Sequence, residues 1–422
     1  MLSSPPTSLS LSKTLLLLLF LSAIWICIGT RSLSFVQGTD FPHLYCAARI
    51  VAQGRGSQLY DADLQRQYQA RDAGRVGNLY THPPFETLFY LGVAWLPLKR
   101  AYLLYCLLNL AFLAASARLL ARELPFPWHW PMLLVAALTF VPVLLCLAQG
   151  QDSLLHLLLV ILVFISLRRQ RAFAAGCWLG LGLFKFQLTL PLFLVLILSL
   201  PRNSRTGLVR GFSLTALALA GLSVAACGWS VFTGYGKFLL HYPQQPSGNI
   251  FPQVMANLRG LTGFFCAGPR SPGCIAVLSV LSAAALVKTL LAWQHAEYGN
   301  DAPLASRQAQ FDLAFSSTVL FALLVSYHLY PHDLSLLLLP ISLLLWHARA
   351  RTALLHTQPR SLTVGLSALL FLPPPHLFAL LAGGYALLAI PLFLLLFVIA
   401  PSGPLTPPAT TLEKATLRRD SR

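Results

Sequence analysis

Long, uninterrupted apolar runs recur along the whole chain, from "TLLLLLFLSAIWICIG" at residues 14–29 to "LLAIPLFLLLFVIA" at residues 387–400. A helix needs roughly 20 apolar residues to cross the hydrocarbon core of a bilayer. Backbone groups in lipid must bond within their own segment, and these runs are Leu-rich without alternation, which favours helices over barrel strands. Charged residues make up only 10% of the chain, against roughly 25% in soluble domains. The sequence therefore predicts an all-α, polytopic membrane protein.

The runs predict about twelve spans, give or take two, in one integral membrane domain over residues 1–400. No small-x-small cleavage site follows the first run, so we expect residues 14–29 to remain as an uncleaved span with a cytoplasmic N-terminus. A short apolar piece, "ETLFYLGVAWLPL", suggests a half-span or an interfacial helix. The two pieces between residues 172 and 201 are short, which suggests tilted or broken helices. The later candidate spans are 101–121, 131–148, 153–167, 172–187, 188–201, 211–231, 274–293, 311–327, 334–348, 361–381 and 383–400.

The distribution of Lys and Arg predicts the orientation of these spans. With the N-terminus inside, connections rich in cations, such as "RRQR", "PRNSRTGLVR" and "HARART", fall on the cytoplasmic side. The opposite turns "AQGQDS", "SYHLYPHDLS" and "PPPHLF" contain neither Lys nor Arg. Residues 30–86 and about 232–273 then form two outer loops, and residues 401–422 form a disordered cytoplasmic tail. We therefore expect an active site on the extracytoplasmic face of the plasma (inner) membrane.

The net charge of +17 indicates cytoplasmic loops that face anionic membrane lipids. Nucleic-acid binding is not predicted, because no Lys/Arg-rich arm with interleaved aromatic residues is present. A P-loop, a dinucleotide-binding glycine pattern, a Cys-x-x-Cys pair and a Gly-x-Ser-x-Gly motif are also absent from the sequence. An enzyme of this composition that used a sugar donor would need a lipid-borne one.

Asp40 is one of only 13 acidic residues and follows the first span in "FVQGTDFPHLYCAARI". It has two interpretations, which do not exclude each other. Asp before "FPHLY" can cap a helix whose early position is Pro42. A carboxylate at the membrane boundary can also act as a general base.

Lys185 in "GLGLFKFQLTLP" is flanked by apolar residues at the outer end of a predicted span. A Lys within a membrane segment is costly and indicates a functional site, and we expect it to bind a lipid phosphate. The alternative is a side chain that extends to the interface.

The turn "VSYHLYPHDLS" places His328, His332 and Asp333 close together on the predicted outer face. Two histidines four residues apart can share a helix face and bind a metal, but Pro331 weakens that geometry. We therefore favour binding of a phosphate or a sugar, with no metal site and no cofactor.

Three polar motifs on the predicted outer face supply weaker candidates for substrate binding. Each has a structural alternative, such as interface anchoring or simple solvation. The candidates are Tyr80 and His82 in "YTHPPF", Asn257 and Arg259 in "MANLRGL", and Gln151 in "AQGQDS". In "CAGPRSPGC", Cys266 and Cys274 flank a Pro/Gly turn, so a disulfide is an option in an oxidising compartment.

These motifs, in their order along the chain, resemble glycosyltransferase family 87. The stretch "TDFPHLYCAARIVAQGRGSQLYD" is similar to the opening of that family, and "YTHPPF", "LLNLAFL", the "GQ" turn, "AGCWLGLGLFKFQLTLPLF" and "MANLRGL" follow. The resemblance implies a GT-C-type membrane fold with a long first outer loop. It also implies a polyprenyl-phosphate-mannose donor and a glycolipid or other glycan acceptor.

The same resemblance implies a metal-independent, inverting transfer in which the first outer-loop Asp is the base. That role corresponds to Asp40. A His in a late outer turn is also important in the family, and either His328 or His332 matches it. A transporter or flippase of lipid-linked sugars is the alternative function, although no inverted repeat is evident. An inactive scaffold of envelope assembly is a third interpretation.

Overall fold

The computed structural model describes residues 33–124, 129–241, 251–266, 271–298, 304–350 and 360–399, and these ranges are helical without a β-strand. The first predicted span and the predicted cytoplasmic tail lie outside the described residues. In chain order the α-helices are α1 (Leu33–Gln37), α2 (Phe41–Ala52), α3 (Ala62–Tyr68), α4 (Thr87–Tyr90), α5 (Leu98–Glu123), α6 (Trp130–Leu138), α7 (Val141–Gln149), α8 (Ser153–Arg168), α9 (Ala172–Leu181), α10 (Phe186–Ser199), α11 (Arg202–Cys227), α12 (Ser230–His241), α13 (Leu258–Phe265), α14 (Pro272–Tyr298), α15 (Leu304–Val325), α16 (Leu338–Ala350), α17 (Arg360–Phe371), α18 (Pro373–Leu381) and α19 (Ala389–Ile399).

The described residues include five helices that are long and apolar enough to cross a membrane, or seven if two bent pairs each form one span. The five are Leu98–Glu123, Ala172–Ser199, Arg202–Cys227, Pro272–Ala296 and Arg307–Val325. Two further apolar helices, Ser153–Arg168 and Tyr385–Ile399, are shorter. Every predicted span after the first overlaps a helix of the structure. The all-α polytopic class is confirmed, and the number of about twelve spans stays a prediction.

Two predicted spans are not continuous helices, because each is broken near a proline. The predicted spans 131–148 and 361–381 are each a pair of helices, α6 with α7 and α17 with α18, bent by 74° and 53°. In a continuous helix the ring of Pro142 would clash with the carbonyl of Leu138, and Pro373 with that of Leu369. A third correction concerns "PRNSRTGLVR", predicted as a cytoplasmic loop. It is helical from Arg202 onwards, as the first part of α11.

The helices α9 and α10 form a hairpin that turns at Gly182–Lys185, although Ala172–Ser199 is long enough for one span. Gly176 packs against the backbone of Phe212, and the ring of Phe193 stacks on the ring of Phe212 with centroids 4.1 Å apart. In one straight helix Gly176 and Phe193 would lie about 25 Å apart, too far for both to contact Phe212. The predicted division of this stretch into two short pieces is therefore correct, and Lys185 lies at the turn.

Small residues allow α9 and α11 to pack closely. Gly176 and Gly180 are four residues apart on α9, and Gly207 and Gly211 are four apart on α11. A Cβ atom at Gly176 would lie 2.0 Å from the carbonyl oxygen of Leu208. Such paired glycines let helix backbones approach within a membrane, and this contact fixes the hairpin that carries Lys185.

Gly211→Ala is expected to destabilise the protein by about 1–3 kcal/mol, the typical cost of overpacking. The added Cβ would lie 2.1 Å from the carbonyl oxygen of Phe173, which is backbone and cannot move independently. Gly221→Ala on the same helix is the matched control, because nothing lies within 4 Å of its Cβ position. Thermal unfolding in detergent should show a lower midpoint for Gly211→Ala only. Equal midpoints for the two variants would contradict the close packing of α9 on α11.

The first predicted outer loop is folded into short helices over its described residues, 33–86. Its helix α2 packs on the start of α5, where the ring of Phe41 contacts the ring of Tyr102 with centroids 5.6 Å apart. The hydroxyl of Tyr45 donates to the carbonyl of Leu96 at 2.7 Å. The piece "ETLFYLGVAWLPL" forms short turns of helix that end before Pro97. This packing fixes the position of Asp40, which directly precedes α2, at one end of the bundle.

The disulfide that the sequence allows between Cys266 and Cys274 is present. It joins the end of α13 to the start of α14. The described cysteines inside or beside other helices, Cys46, Cys106, Cys146, Cys177 and Cys227, are free, in keeping with small apolar packing residues. Cys27 lies outside the described residues.

Candidate active site

Hydrogen bonds between distant parts of the chain gather the polar turns at one end of the bundle. The side chain of Asn257 donates to the carbonyl of Ser326 at 2.7 Å, which holds the segment before α13 against the turn before α16. The hydroxyl of Tyr235 donates to the carbonyl of Thr81 at 3.2 Å and holds α12 against residues 80–86. This end, termed the polar end, contains Asp40, the turn 149–152, Lys185 and the turn 326–333.

Asp40 is held by the turn between α7 and α8. Its backbone N–H donates to the side-chain oxygen of Gln149 at 3.0 Å, and its Oδ2 accepts from Nε2 of Gln151 at 3.1 Å. Although Asp40 is the N-cap residue of α2, its side chain makes no capping hydrogen bond. Gly150 between the glutamines has a φ of +64° and packs against Phe41, where a Cβ would be 2.8 Å from the Cβ of Phe41. The half-buried carboxylate is thus aimed by Gln151 and is not used to start the helix.

Lys185 lies between two carboxylates. Its Nζ is 3.0 Å from Oδ1 of Asp152 and 2.9 Å from Oδ1 of Asp333, and its side chain is only 3% exposed. Ser153 also donates to Oδ1 of Asp333 at 2.8 Å. The cation predicted to bind a phosphate is therefore already paired within the protein, and the three charged groups together carry one net negative charge.

The positive charge of Lys185 keeps both acids ionised. Burial alone would raise the pKa of Asp333, but the ammonium outweighs burial and holds that pKa well below its ordinary value. The same balance lowers the pKa of Asp152. Ion pairing in a low-dielectric environment favours the charged forms in this way. Neither acid is a good base near neutral pH.

Glu86 and His82 form a second buried pair beside this group. Nδ1 of His82 lies 2.8 Å from Oε2 of Glu86, which is fully buried. Burial lowers the pKa of His82 to about 4, and burial together with the negative Asp152 raises the pKa of Glu86 well above its ordinary value. The neutral Glu86 donates its proton in a hydrogen bond to the ionised Asp152. Its Oε2 can then accept from the Nδ1–H of a neutral His82, which leaves Nε2 of His82 as an acceptor for a substrate hydroxyl.

The turn 326–333, termed the histidine turn, contributes two imidazole rings of different solvent exposure. His332 is buried, with Nε2 3.7 Å from Oδ1 of Asp333. His328 contacts the ring of Tyr330 edge-on at 4.4 Å between centroids, and burial lowers its pKa to about 4. The backbone N–H of Tyr330 donates to Oδ2 of Asp333 at 3.1 Å. Asp333 thus ties this turn to Lys185.

The other residues predicted to bind substrate mainly hold neighbouring segments of the protein in place. Nη1 of Arg259 donates to the carbonyl of Tyr327 at 2.7 Å, and the guanidinium lies over that tyrosine ring at 3.9 Å. Tyr80 is buried, stacks on His82 and donates its hydroxyl to the carbonyl of Pro83. Asn257 also caps α13 through its side-chain oxygen. Arg259 is partly exposed, in contrast to the buried Lys185.

Across the described ranges, no group of three or more His, Cys, Asp or Glu side chains is arranged to hold a metal ion. The polar end instead contains a carboxylate held by an amide, a charge-paired lysine and several neutral imidazoles. Such a set suits proton transfer and hydrogen bonding to a polar substrate.

Comparison with known proteins identifies the chain. Among curated proteins none matches it. The model of glycosyltransferase family 87 matches residues 80–326, more than half of the chain. The chain belongs to glycosyltransferase family 87. The predicted family is confirmed, and membership favours a transferase over the transporter and scaffold interpretations.

The match covers only part of the polar end of this glycosyltransferase. His82, Lys185 and Asn257 lie within residues 80–326, whereas Asp40 precedes the matched range and the histidine turn mostly follows it. Asp40 therefore depends on the geometry described above and on the sequence resemblance of its own segment.

Sequence reasoning missed two residues of the polar end. Glu86 was not a candidate, although it is one of only 13 acidic residues and opens an apolar stretch. His43, three residues after Asp40, was given no role, and its ring lies 5.8 Å from that of His82 between centroids. An acid at the head of an apolar segment was the available signal for Glu86.

Proposed function

We propose that this glycosyltransferase moves a hexose, mannose, from a polyprenyl-phosphate donor to a hydroxyl of a glycolipid or other envelope acceptor. The absence of nucleotide-binding motifs from the sequence supports a lipid-borne donor. A polar end built on apolar helices suits a substrate that remains in the bilayer. The resemblance of the motifs to polyprenyl-phosphate-mannose enzymes supports mannose.

The observation that carries the mechanism is the carboxylate of Asp40, which accepts from Gln151 without capping its helix. In the proposed inverting reaction, Asp40 removes the proton of the acceptor hydroxyl. The acceptor oxygen then bonds to the anomeric carbon from the side opposite the leaving group. The bond between that carbon and the phosphate oxygen breaks, and polyprenyl phosphate leaves with the electron pair. A phosphate is a good leaving group, so no general acid is required.

Donors around the phosphate would stabilise the charge that develops as it leaves. We assign the first contact to Arg259, because its guanidinium is partly exposed and presents a fork suited to phosphate oxygens. His328 or His332 would supply a neutral N–H. Lys185 would reach the phosphate only by exchanging one of its two carboxylates, so its proposed contribution is mainly to order Asp152 and Asp333.

The outer face of the plasma membrane is the proposed location of the polar end. The Cys266–Cys274 disulfide follows α13 in the chain, and Asn257 at the start of that helix bonds to Ser326 of the polar end. Disulfides persist in oxidising compartments. The turns that form the polar end contain no Lys or Arg between residues 148 and 153 or between residues 326 and 335, as expected for the outer side. Both termini would then be cytoplasmic.

The donor can be tested with the purified protein in nanodiscs and a lipid extract of the source organism as acceptor. Radiolabelled polyprenyl-phosphate-mannose, polyprenyl-phosphate-glucose and a nucleotide-activated mannose are supplied separately. Label should enter a new glycolipid only from polyprenyl-phosphate-mannose, with inverted anomeric configuration. Transfer from the nucleotide sugar would overturn the lipid-borne donor, and transfer only from the glucose donor would overturn mannose.

A further inference from the structure

A cavity of about 610 Å³ lies between α5, α6, α16 and α17, within the described part of the chain. Its walls are apolar, with residues such as Leu113, Ala137 and Ile341. Its volume falls within the range of about 300–1,000 Å³ that is usual for ligand sites. Exposed Leu345 and Val364 are among its lining residues, so the cavity opens at the side of the bundle towards lipid.

The cavity extends along the helices away from the polar end. Its lining on α16 runs from Leu338, which directly follows the 3-10 helix Pro331–Leu337, to Arg349 near the end of α16. Eleven helical steps cover about 16 Å. Half of a hydrocarbon core about 30 Å thick is about 15 Å. The cavity therefore has the length of one acyl chain in one leaflet.

The charge at the far end of the cavity is positive. Arg349 ends its lining on α16 and Arg360 starts its lining on α17, and both side chains are exposed. The described residues that line the cavity include no Asp or Glu. Arg pairs readily with phosphate oxygens through two N–H groups. An apolar channel that ends at two arginines is complementary to a lipid with an apolar chain and an anionic headgroup.

We propose that this cavity binds one anionic phospholipid of the bilayer, with an acyl chain between α5 and α16 and the phosphate at Arg349 and Arg360. The site lies in the leaflet opposite the polar end. It is separate from the sugar-transfer site and does not depend on the identity of the donor or acceptor. The bound lipid replaces protein side chains as the filling between the four helices, and it therefore stabilises their packing.

The test is native mass spectrometry of the full chain released from nanodiscs of equimolar phosphatidylglycerol and phosphatidylcholine. Wild type should retain one phosphatidylglycerol in preference to phosphatidylcholine. The double variant Arg349→Gln/Arg360→Gln should lose this retention at least about tenfold, since each lost charged hydrogen bond is worth roughly a factor of ten. Ala136→Phe, which fills a half-buried position of the cavity wall, should lose retention without any change in charge.

The matched control is Arg118→Gln/Arg210→Gln, which removes two exposed arginines that do not line the cavity. It should retain phosphatidylglycerol as wild type does. Equal retention by the Arg349→Gln/Arg360→Gln variant, or no preference of wild type for phosphatidylglycerol, would overturn the proposal. If the variants do not fold, titration of delipidated wild type decides. Phosphatidylglycerol alone should raise its unfolding temperature, and an equal rise with phosphatidylcholine would count against the site.

Discussion

Asp40→Asn is expected to reduce the rate of sugar transfer by about 10²–10⁴-fold, the usual contribution of a general base. Asparagine keeps the size of the side chain and can still bond to Gln151, but it cannot accept the acceptor's proton. Stability should be unchanged, because the Asp40 side chain makes no capping hydrogen bond to α2. The measurement is label transfer per folded protein, with folding checked by the unfolding midpoint in detergent.

The matched control for this variant is Asp63→Asn. Asp63 belongs to the same folded segment, and its side chain is 93% exposed and paired only with Arg66 at the surface. Exposed ion pairs of this kind contribute little, so the control should transfer sugar at the wild-type rate. Unimpaired transfer by Asp40→Asn would move the base to another residue.

The other acids of the polar end are poorly suited to replace Asp40. Asp152 and Asp333 both contact Lys185 and have lowered pKa values. A carboxylate that is stabilised by a buried cation is a weak base. Burial raises the pKa of Glu86, so its carboxyl group is already protonated and cannot act as the base.

The fold class could be predicted from the sequence because the bilayer imposes length and apolarity on each span directly. The hairpin at Gly182–Lys185 was anticipated from the shortness of its two pieces. The bends at residues 139–140 and 372 were missed, since apolar composition continues through them and only Pro142 and Pro373 indicate a break. The helical start of α11 was missed because its cations suggested a loop.

The candidate site was predicted residue by residue, but its pairings were not. Lys185 is costly in a membrane segment whatever its partners, so it could be recognised alone. Its contact with Asp333 joins residues 148 positions apart in the chain and depends on the packing of α7 and α8 against residues 331–337. The bond from Gln151 to Asp40 likewise spans 111 positions. Such contacts follow from the tertiary fold and leave no local pattern.

Lys185→Met is expected to lower the free energy of unfolding by about 3–5 kcal/mol, the usual cost of breaking a buried ion pair from one side. Methionine fits the space but leaves Asp152 and Asp333 buried beside each other without their cation. Lys237→Met, at an exposed lysine, is the matched control and should unfold at the wild-type midpoint. The measurement is thermal unfolding in detergent together with the yield of folded protein.

A triple variant separates this structural role of Lys185 from direct phosphate binding. Lys185→Met/Asp152→Asn/Asp333→Asn removes both orphaned charges, so it should recover a large part of the stability that Lys185→Met loses. Recovery of stability identifies the lysine as the counter-ion that orders the turns around Asp40. If Lys185→Met instead folds as well as wild type and only raises the KM for the lipid donor, the ammonium contacts the donor phosphate and the two carboxylates are not its obligatory partners. The unfolding midpoint and the KM thus distinguish the two roles, because a counter-ion changes the first and a substrate contact changes the second.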